Sequence, residues 1–258
     1  THPYISTGLK ENKFGVPIEE AMELYKIASD SDSLMPIGIA CHIGSQLTDP
    51  SPVVEALLEV VQLAEELKAI GIPLKDIDVG GGLGIKYDDE NPPSIRQWVS
   101  ELKSCVPSSY RIKIEPGRSI VGSAGILLTK IVSYKDNGKR KFAISDAAMN
   151  DLLRPALYNA YHKVLPCIKK EKARGLFFDL VGPICETGDW LAKRQDFSVS
   201  QGDLLAIKDV GAYGFSMASN YNSRPRAPEV LIEIDGAARL VRTRESIADM
   251  LALEAKHL

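Results

Sequence analysis

Four short stretches carry the residue types that do chemistry. His42 opens HIGSQ (42–46), three glycines open GGGLG (80–84), Glu115 and Arg118 bracket EPGR (115–118), and Cys185 sits beside Glu186 in GPICETGDWLA (182–192). A glycine triplet lets the backbone approach a ligand closely, and its N–H groups can point at an anion. GGGLG has neither the GxGxxG spacing and downstream acid of a dinucleotide site nor the lysine of a P-loop. Read alone, it fits a tight turn at a strand end equally well. Glu115 and Arg118 could serve a ligand or pair with each other. A histidine such as His42 can be a base, a ligand or a flat surface for a ring, and is as readily a satisfied structural residue. Cys185 could deliver a proton, because a thiol pKa can be brought near working pH, or be a small buried hydrophobe.

The surrounding elements place the first three stretches on successive strand ends. Helical spacing at 18–29 (Ile18, Met22, Tyr25, Ile27) precedes an apolar strand at 37–43 that runs into HIGSQ. A helix over 52–70, with Pro52 in its first turn and an apolar face of Val54, Leu57, Leu58, Val61 and Leu67, leads to a strand at 76–79 ending in GGG. A helix at 94–105, capped by Ser94, leads to a strand at 111–115 ending in EPGR. Such alternation predicts a parallel sheet with crossover helices. In β/α barrels the active site lies on the face where strands end, and a phosphate site often uses the last two loops. A barrel takes ~250 residues, so three strands imply that the upstream part is missing. The start Thr1-His2-Pro3, neither an initiator methionine nor a leader segment, predicts a cut or trimmed chain.

Past about residue 120 the pattern becomes strands and turns. Asp136-Asn137-Gly138 predicts a hairpin between 123–134 and 140–145, with further strands at 174–181, 203–208, 229–234 and 238–243 and a short helix at 245–254. The fold class is therefore α/β plus β: residues 1–121 as the C-terminal portion of a β/α barrel, residues 122–258 as a mostly antiparallel, β-rich domain.

Composition narrows the function classes. The chain has 258 residues, 45% hydrophobic and 25% charged, as an ordinary globular protein does. A net charge of −3 without basic runs argues against nucleic acid. No apolar stretch is long enough to span a membrane; GILLTKIV (125–132) is short and broken by Lys130. Cys41, Cys105, Cys167 and Cys185 form no CxxC pair, which argues against a metal site or a disulfide scaffold and favours a reducing, cytoplasmic compartment.

HIGSQ, GGGLG and EPGRS, in this order on successive strands, resemble the fold-type III pyridoxal-phosphate enzymes, the alanine-racemase-like (β/α)8 barrels. TGLKENKFG (7–15), MNDLLRPALYNAYH (149–162), GPICETGDWLA and GAYGFSMASNYNSRPRAPEV (211–230) are similar to the diaminopimelate decarboxylases within them. The resemblance covers essentially the whole chain. It implies a lyase of lysine biosynthesis that converts meso-diaminopimelate to L-lysine with pyridoxal 5'-phosphate. Ser45, the backbone of Gly80, Gly81 and Gly82, and Gly117 with Arg118 would hold the phosphate. His42 would stack on the pyridine ring, Glu115 would pair with its nitrogen, and Tyr213 would reach phosphate and substrate. Arg118, Arg154, Tyr158 and Glu186 would contact the substrate, and Cys185 would supply the proton. Cys185 and Glu186 would enter the site of a partner subunit, which makes a homodimer with shared sites.

One family feature is missing from these 258 residues: a YxxKAN-like motif with the Schiff-base lysine. Lys113 shares strand parity with Glu115 but reads as structural. Two explanations follow, a piece of an active decarboxylase or a non-catalytic paralogue with a binding or regulatory role. The first is favoured because Cys185, Glu115, Arg118 and Tyr213 are all retained, and the piece alone is expected to be inactive. Among enzymes, the alternative is a related decarboxylase of ornithine, arginine or lysine; Arg154 in LLRPALY favours a substrate with a distal carboxylate.

Overall fold

The computed structural model describes residues 13–168, 170 and 177–257. The chain forms two compact units that divide between Gly122 and Ser123. Position 2 and most of the 7–15 motif lie outside the described residues.

The first unit opens with α1 (Ile18–Ser29), β1 (Gly38–Ala40), α2 (Ser51–Ala69), β2 (Asp76–Asp78), α3 (Ile95–Cys105), β3 (Arg111–Lys113) and the single turn α4 (Arg118–Val121). β1, β2 and β3 pair in parallel in that order, with Ala40 beside Asp78 and Asp78 beside Lys113. α2 and α3 are the two crossovers. Ser94 caps α3 reciprocally: its hydroxyl accepts from the Gln97 N–H, and the Gln97 side chain takes the Ser94 N–H.

The buried face of α2 differs from the expected one. Val53, Leu57, Val60, Leu63, Ala64 and Leu67 are buried, while Leu58 is exposed and Val54 and Val61 are only half-buried. The stripe 53/57/60/64/67 advances by alternate fours and threes, the spacing of one helix face. In α1 only Ala21 is fully buried, and Ile18 and Ile27 are exposed. The core under these helices gathers Ile77, Leu74, Trp98 and Leu102 with the α2 stripe.

Because strand side chains alternate, Asp76 and Lys113 point to the sheet face opposite Ile77. Asp76 there accepts from Arg111 Nε at 2.6 Å and Lys113 Nζ at 2.8 Å. The two cations hold its carboxyl below the ordinary carboxylate range. Lys113 thus takes part in an ion-pair cluster, the structural role expected of it.

The second unit contains β4 (Leu127–Asp136), β5 (Lys141–Ser145), α5 (Arg154–Tyr158), β6 (Val164–Pro166), β7 (Phe178–Val181), β8 (Trp190–Gln195), β9 (Leu204–Ile207), β10 (Glu229–Ile232), β11 (Ala238–Arg242) and α6 (Ile247–Met250). Six strands form a sheet in the order β6-β9-β4-β5-β7-β8. Four of its pairings are antiparallel, and β5 with β7 is parallel. β10 and β11 form a separate hairpin.

The expected β4–β5 turn is present: Gly138 has φ +80°, and the Asp136 carboxylate accepts its N–H at 2.8 Å. Five elements differ from expectation, among them α5, which was not anticipated. β4 starts at Leu127 because Gly122–Ala124 makes a 3-10 turn, α6 is one turn capped by Ser246, and strands β6 and β8 were not anticipated. The expected strand at 174–181 is described only from Phe177 onward, with β7 at Phe178–Val181. Ile131, Ala143, Leu180, Leu191, Leu205 and Ile207 make the core of this unit.

Candidate functional site

The parallel register sets the geometry in the first unit. His42, Gly80 and Glu115 each stand two residues beyond the aligned trio Ala40, Asp78 and Lys113, so all three come off the sheet at one level. The Glu115 N–H donates to the Gly80 carbonyl at 2.8 Å, extending the ladder past the strand ends. The Asp78 carboxylate accepts the Gly80 N–H at 2.9 Å, and Gly80 has φ +70°, a backbone that disfavours a side chain. A Cβ at Gly80 would lie 2.7 Å from the Cys41 carbonyl oxygen, and one at Gly81 would lie 2.7 Å from that of Glu115. Only glycine permits three loops to approach this closely.

His42 is tied into the triplet. Its Nδ1 accepts the Gly81 N–H at 3.2 Å. An amide N–H only donates, so Nδ1 is the acceptor in this contact. The base reading of His42 is weakened at Nδ1, and the flat exposed ring remains. The neighbouring Cys41 thiol is pushed up to about 11 by burial and by the Asp78 charge, which keeps it a thiol at neutral pH.

Ser45 and Arg118 come together across the loops. The buried Arg118 donates from Nη1 to the Tyr87 hydroxyl at 2.7 Å and from Nη2 to Ser45 Oγ at 3.0 Å. Gly117 caps α4 and directs Arg118 inward. Gln46, in the left-handed region at φ +59°, clamps the same loops: its amide donates to the Ile85 carbonyl at 2.6 Å and accepts the Ile85 N–H at 3.1 Å. Tyr87 and Gln46 were not among the expected site residues. Gln46 lies within the HIGSQ stretch, whereas Tyr87 carries no local signal.

In the second unit, one buried acid shapes the segment around Cys185. Asp189 accepts the Met149 N–H at 2.7 Å and the Ile184 N–H at 2.8 Å, which folds 182–189 into a tight loop. Burial raises its pKa above the ordinary carboxylate value despite those donors. Gly182 packs so closely on Ala148 and Asp189 that it has no room for a side chain. Cys185 and Glu186 are exposed at the tip, so the buried-hydrophobe alternative for Cys185 is ruled out. Each has a partner from the segment after Ser219. Asn222 Nδ2 donates to Cys185 Sγ at 3.7 Å, and the Tyr221 hydroxyl donates to Glu186 Oε2 at 2.6 Å. The Glu186 carboxylate raises the Tyr221 phenol above its ordinary value.

Arg154, at the start of α5, is buried, with Nη1 2.8 Å from His162 Nε2. Tyr158 ends that helix half-buried, followed by Asn159 in the left-handed region. Tyr213 is exposed, at φ +63°. Within the units, the structure therefore gathers His42, Ser45, Gly80–Gly82, Glu115, Gly117 and Arg118 in the first. In the second it gathers Cys185 with Glu186, and separately Arg154 with His162. Asp189, Tyr221, Asn222 and His162 were not anticipated.

Comparison with known proteins gives the class. The family "Pyridoxal-dependent decarboxylase, pyridoxal binding domain" matches residues 1–122. The chain is similar to a diaminopimelate decarboxylase of Haemophilus influenzae, 47% identical over 257 residues, which are 99% of this chain and 62% of that protein. It is also similar to the diaminopimelate decarboxylase of Pseudomonas aeruginosa, 48% identical over 256 residues, 99% of this chain and 61% of that protein. Among solved structures it is similar to diaminopimelate decarboxylase from Helicobacter pylori complexed with L-lysine. The TM-score is 0.94 at 43% identity, over 100% of this chain and 64% of that one. Residues 1–122 are thus similar to the pyridoxal-binding domain of the pyridoxal-dependent decarboxylases. Within that family the chain's similarity is to the diaminopimelate decarboxylases, and it spans 61–62% of the length of these two curated relatives.

Proposed function

We propose that the full-length protein containing this chain decarboxylates meso-diaminopimelate to L-lysine with pyridoxal 5'-phosphate, in a homodimer with shared sites. The observation that carries the cofactor half is the common level of His42, Gly80 and Glu115 above three parallel strands, beside the buried Arg118. These residues fit the group: the glycine backbone leaves a cradle that a Cβ would fill, and a guanidinium and a hydroxyl stand next to it. Ser45, Gly80–Gly82, Gly117 and Arg118 would hold the phosphate ester, and the family resemblance adds Tyr213 to them. The exposed His42 ring would stack on the pyridine, and Glu115 would pair with its ring nitrogen. Bound pyridoxal phosphate supplies an electron sink for the pair released when a carboxylate leaves as carbon dioxide.

The remaining residues bind substrate and move one proton. Arg154, Arg118 and Tyr158 orient the substrate, and Glu186 receives an ammonium. Cys185 gives its Sγ proton to the carbon that has lost carbon dioxide, and the resulting thiolate is reprotonated from solvent. Asn222 at the sulfur and Tyr221 at Glu186 keep this pair in place.

The test is kcat/KM of the full-length protein for diaminopimelate and for lysine, in the wild type, Arg154→Ala and Cys185→Ala. A hydrogen bond to a charged group contributes ~1.5–3 kcal/mol, roughly one to two powers of ten. Arg154→Ala is expected to narrow the preference for diaminopimelate by that factor. Cys185→Ala is expected to keep its cofactor and lose ~10²–10⁴-fold in turnover. A wild type that prefers lysine, ornithine or arginine overturns the substrate assignment and leaves the cofactor assignment standing.

A further inference from the structure

His162 follows α5 and is among the most deeply buried polar side chains of the second unit, 1% exposed. Its two ring nitrogens have partners of fixed kind. Nδ1 is 2.9 Å from the Lys208 carbonyl oxygen, and Nε2 is 2.8 Å from Arg154 Nη1. A carbonyl only accepts and a guanidinium only donates. The proton is therefore on Nδ1, the Nε2 lone pair takes the Arg154 N–H, and the imidazole is neutral. The backbone around it is pinned as well: the Lys208 N–H donates to the Lys163 carbonyl at 2.9 Å, and β6 pairs with β9 immediately beyond. The ring is a rigid spacer between the β9 end and the Arg154 guanidinium.

The chemistry of that spacer is selective. A carboxylate in its place would also orient Arg154, but it would neutralise the cation and compete with an incoming anion. A lysine or arginine would repel it. A neutral acceptor orients the guanidinium without adding a negative charge beside it. We propose that His162 is a positioning residue for substrate selection, holding Arg154 in the orientation that receives the distal carboxylate of a diamino dicarboxylic acid. The inference rests on the reading of Arg154 as the contact for that carboxylate.

Three variants of the full-length holoenzyme test it. His162→Asn keeps a donor near the Lys208 carbonyl and removes the acceptor facing Arg154. His162→Gln retains a neutral acceptor, and His162→Glu retains an acceptor but adds a negative charge. His162→Asn is expected to raise KM for diaminopimelate about tenfold, one decade being ~1.4 kcal/mol, with kcat within about twofold. Inhibition by L-lysine, which keeps the distal carboxylate after decarboxylation, weakens in parallel. Inhibition by 1,5-diaminopentane, which has no carboxylate, does not change. His162→Gln restores KM to within about threefold of wild type, and His162→Glu is worse than His162→Asn. On an Arg154→Ala background His162→Asn has no further effect.

A purely structural role predicts a different result: lower kcat and cofactor content, with both inhibitors affected alike. That outcome overturns the inference, as does a wild-type KM in His162→Asn. Should His162→Asn not fold, the Gln and Glu variants decide, since equal KM values for these two contradict the charge argument. If Arg154→Ala itself leaves the substrate preference unchanged, the Arg154 assignment is at fault and the His162 inference falls with it. If Arg154→Ala changes the preference and His162→Asn does not, the inference alone fails.

Discussion

Replacing Gly81 by alanine tests the cradle at its narrowest point. Gly81 is not in the left-handed region, so the new methyl group costs nothing in backbone conformation there. What it meets is the Glu115 carbonyl oxygen, 2.7 Å from the ideal Cβ position, where ordinary contact begins at 3.4 Å. The strand end has to retreat by roughly 0.7 Å, and the Glu115 side chain moves with it. Overpacking of this kind costs ~1–3 kcal/mol, and each kcal/mol lowers Tm by ~2–4 °C in a protein of about this size. The same shift weakens the contacts of the triplet with a phosphate, for which one hydrogen bond to a charged group is ~1.5–3 kcal/mol, a 10- to 100-fold loss in affinity. Gly71→Ala is the control. Gly71 has φ +91° and nothing within 4 Å of a Cβ, so alanine there incurs only the left-handed penalty, ~1–2 kcal/mol. Both variants of the full-length protein should melt at lower temperature, and only Gly81→Ala should lose affinity in a pyridoxal-phosphate absorbance titration. Equal cofactor affinity in the two variants refutes the cradle.

Two further predictions concern acids held by burial. Asp189→Asn leaves either the Met149 or the Ile184 N–H facing an amide NH2, a loss of ~1–3 kcal/mol. Faster hydrogen exchange at these two amides and lower turnover with retained cofactor are expected, and unchanged exchange contradicts the role given to Asp189. Burial raises Cys41 from its ordinary 9.0 to about 11 and, with the Glu65 hydrogen bond, Tyr110 from 10.0 to about 12. The unfolded chain loses these protons first. Stability that is complete below about pH 9 is therefore lost as the pH rises toward about 11 and 12. Urea midpoints measured from pH 8 upward should fall, and the fall should be smaller in Cys41→Ala; identical slopes refute the Cys41 contribution.

The elements that carry the site could be read from the sequence because local chemistry specifies them. Ser94 with Gln97 is a capping box visible in the sequence, Asp136-Asn137-Gly138 is a turn by composition, and the three strand-end motifs follow their strands directly. The side of α2 that faces the sheet was not legible. Val54, Leu58 and Val61 form a second apolar stripe, and only packing against Ile77 and Trp98 selects 53/57/60/64/67 instead. β8 was missed because Lys193, Arg194 and Gln195 are polar, and its pairing with β7 is interrupted, with Arg194 at φ +52°. Tyr87 and His162 were missed for a different reason. Their partners, Arg118 and the Lys208 carbonyl, lie 31 and 46 residues away in sequence, and no local pattern records such a contact.

The parallel pairing of β5 with β7 also bears on how the molecule is made. Ser145 and Phe178 stand 33 positions apart, and the stretch between them carries Arg154, Tyr158 and His162. An antiparallel neighbour can form by a tight turn, whereas a parallel one forms only after the whole intervening loop has closed, against its entropy. Contacts this distant in sequence slow folding. The arm proposed to select the substrate thus lies within one of the long loops that assembly has to close. Substitutions there act on the yield of native molecules as well as on the chemistry of each one. Refolding rates measured beside kcat/KM separate the two effects: a variant that refolds slowly and then works normally has changed the path to the fold, and one that refolds at the normal rate with altered KM has changed the site.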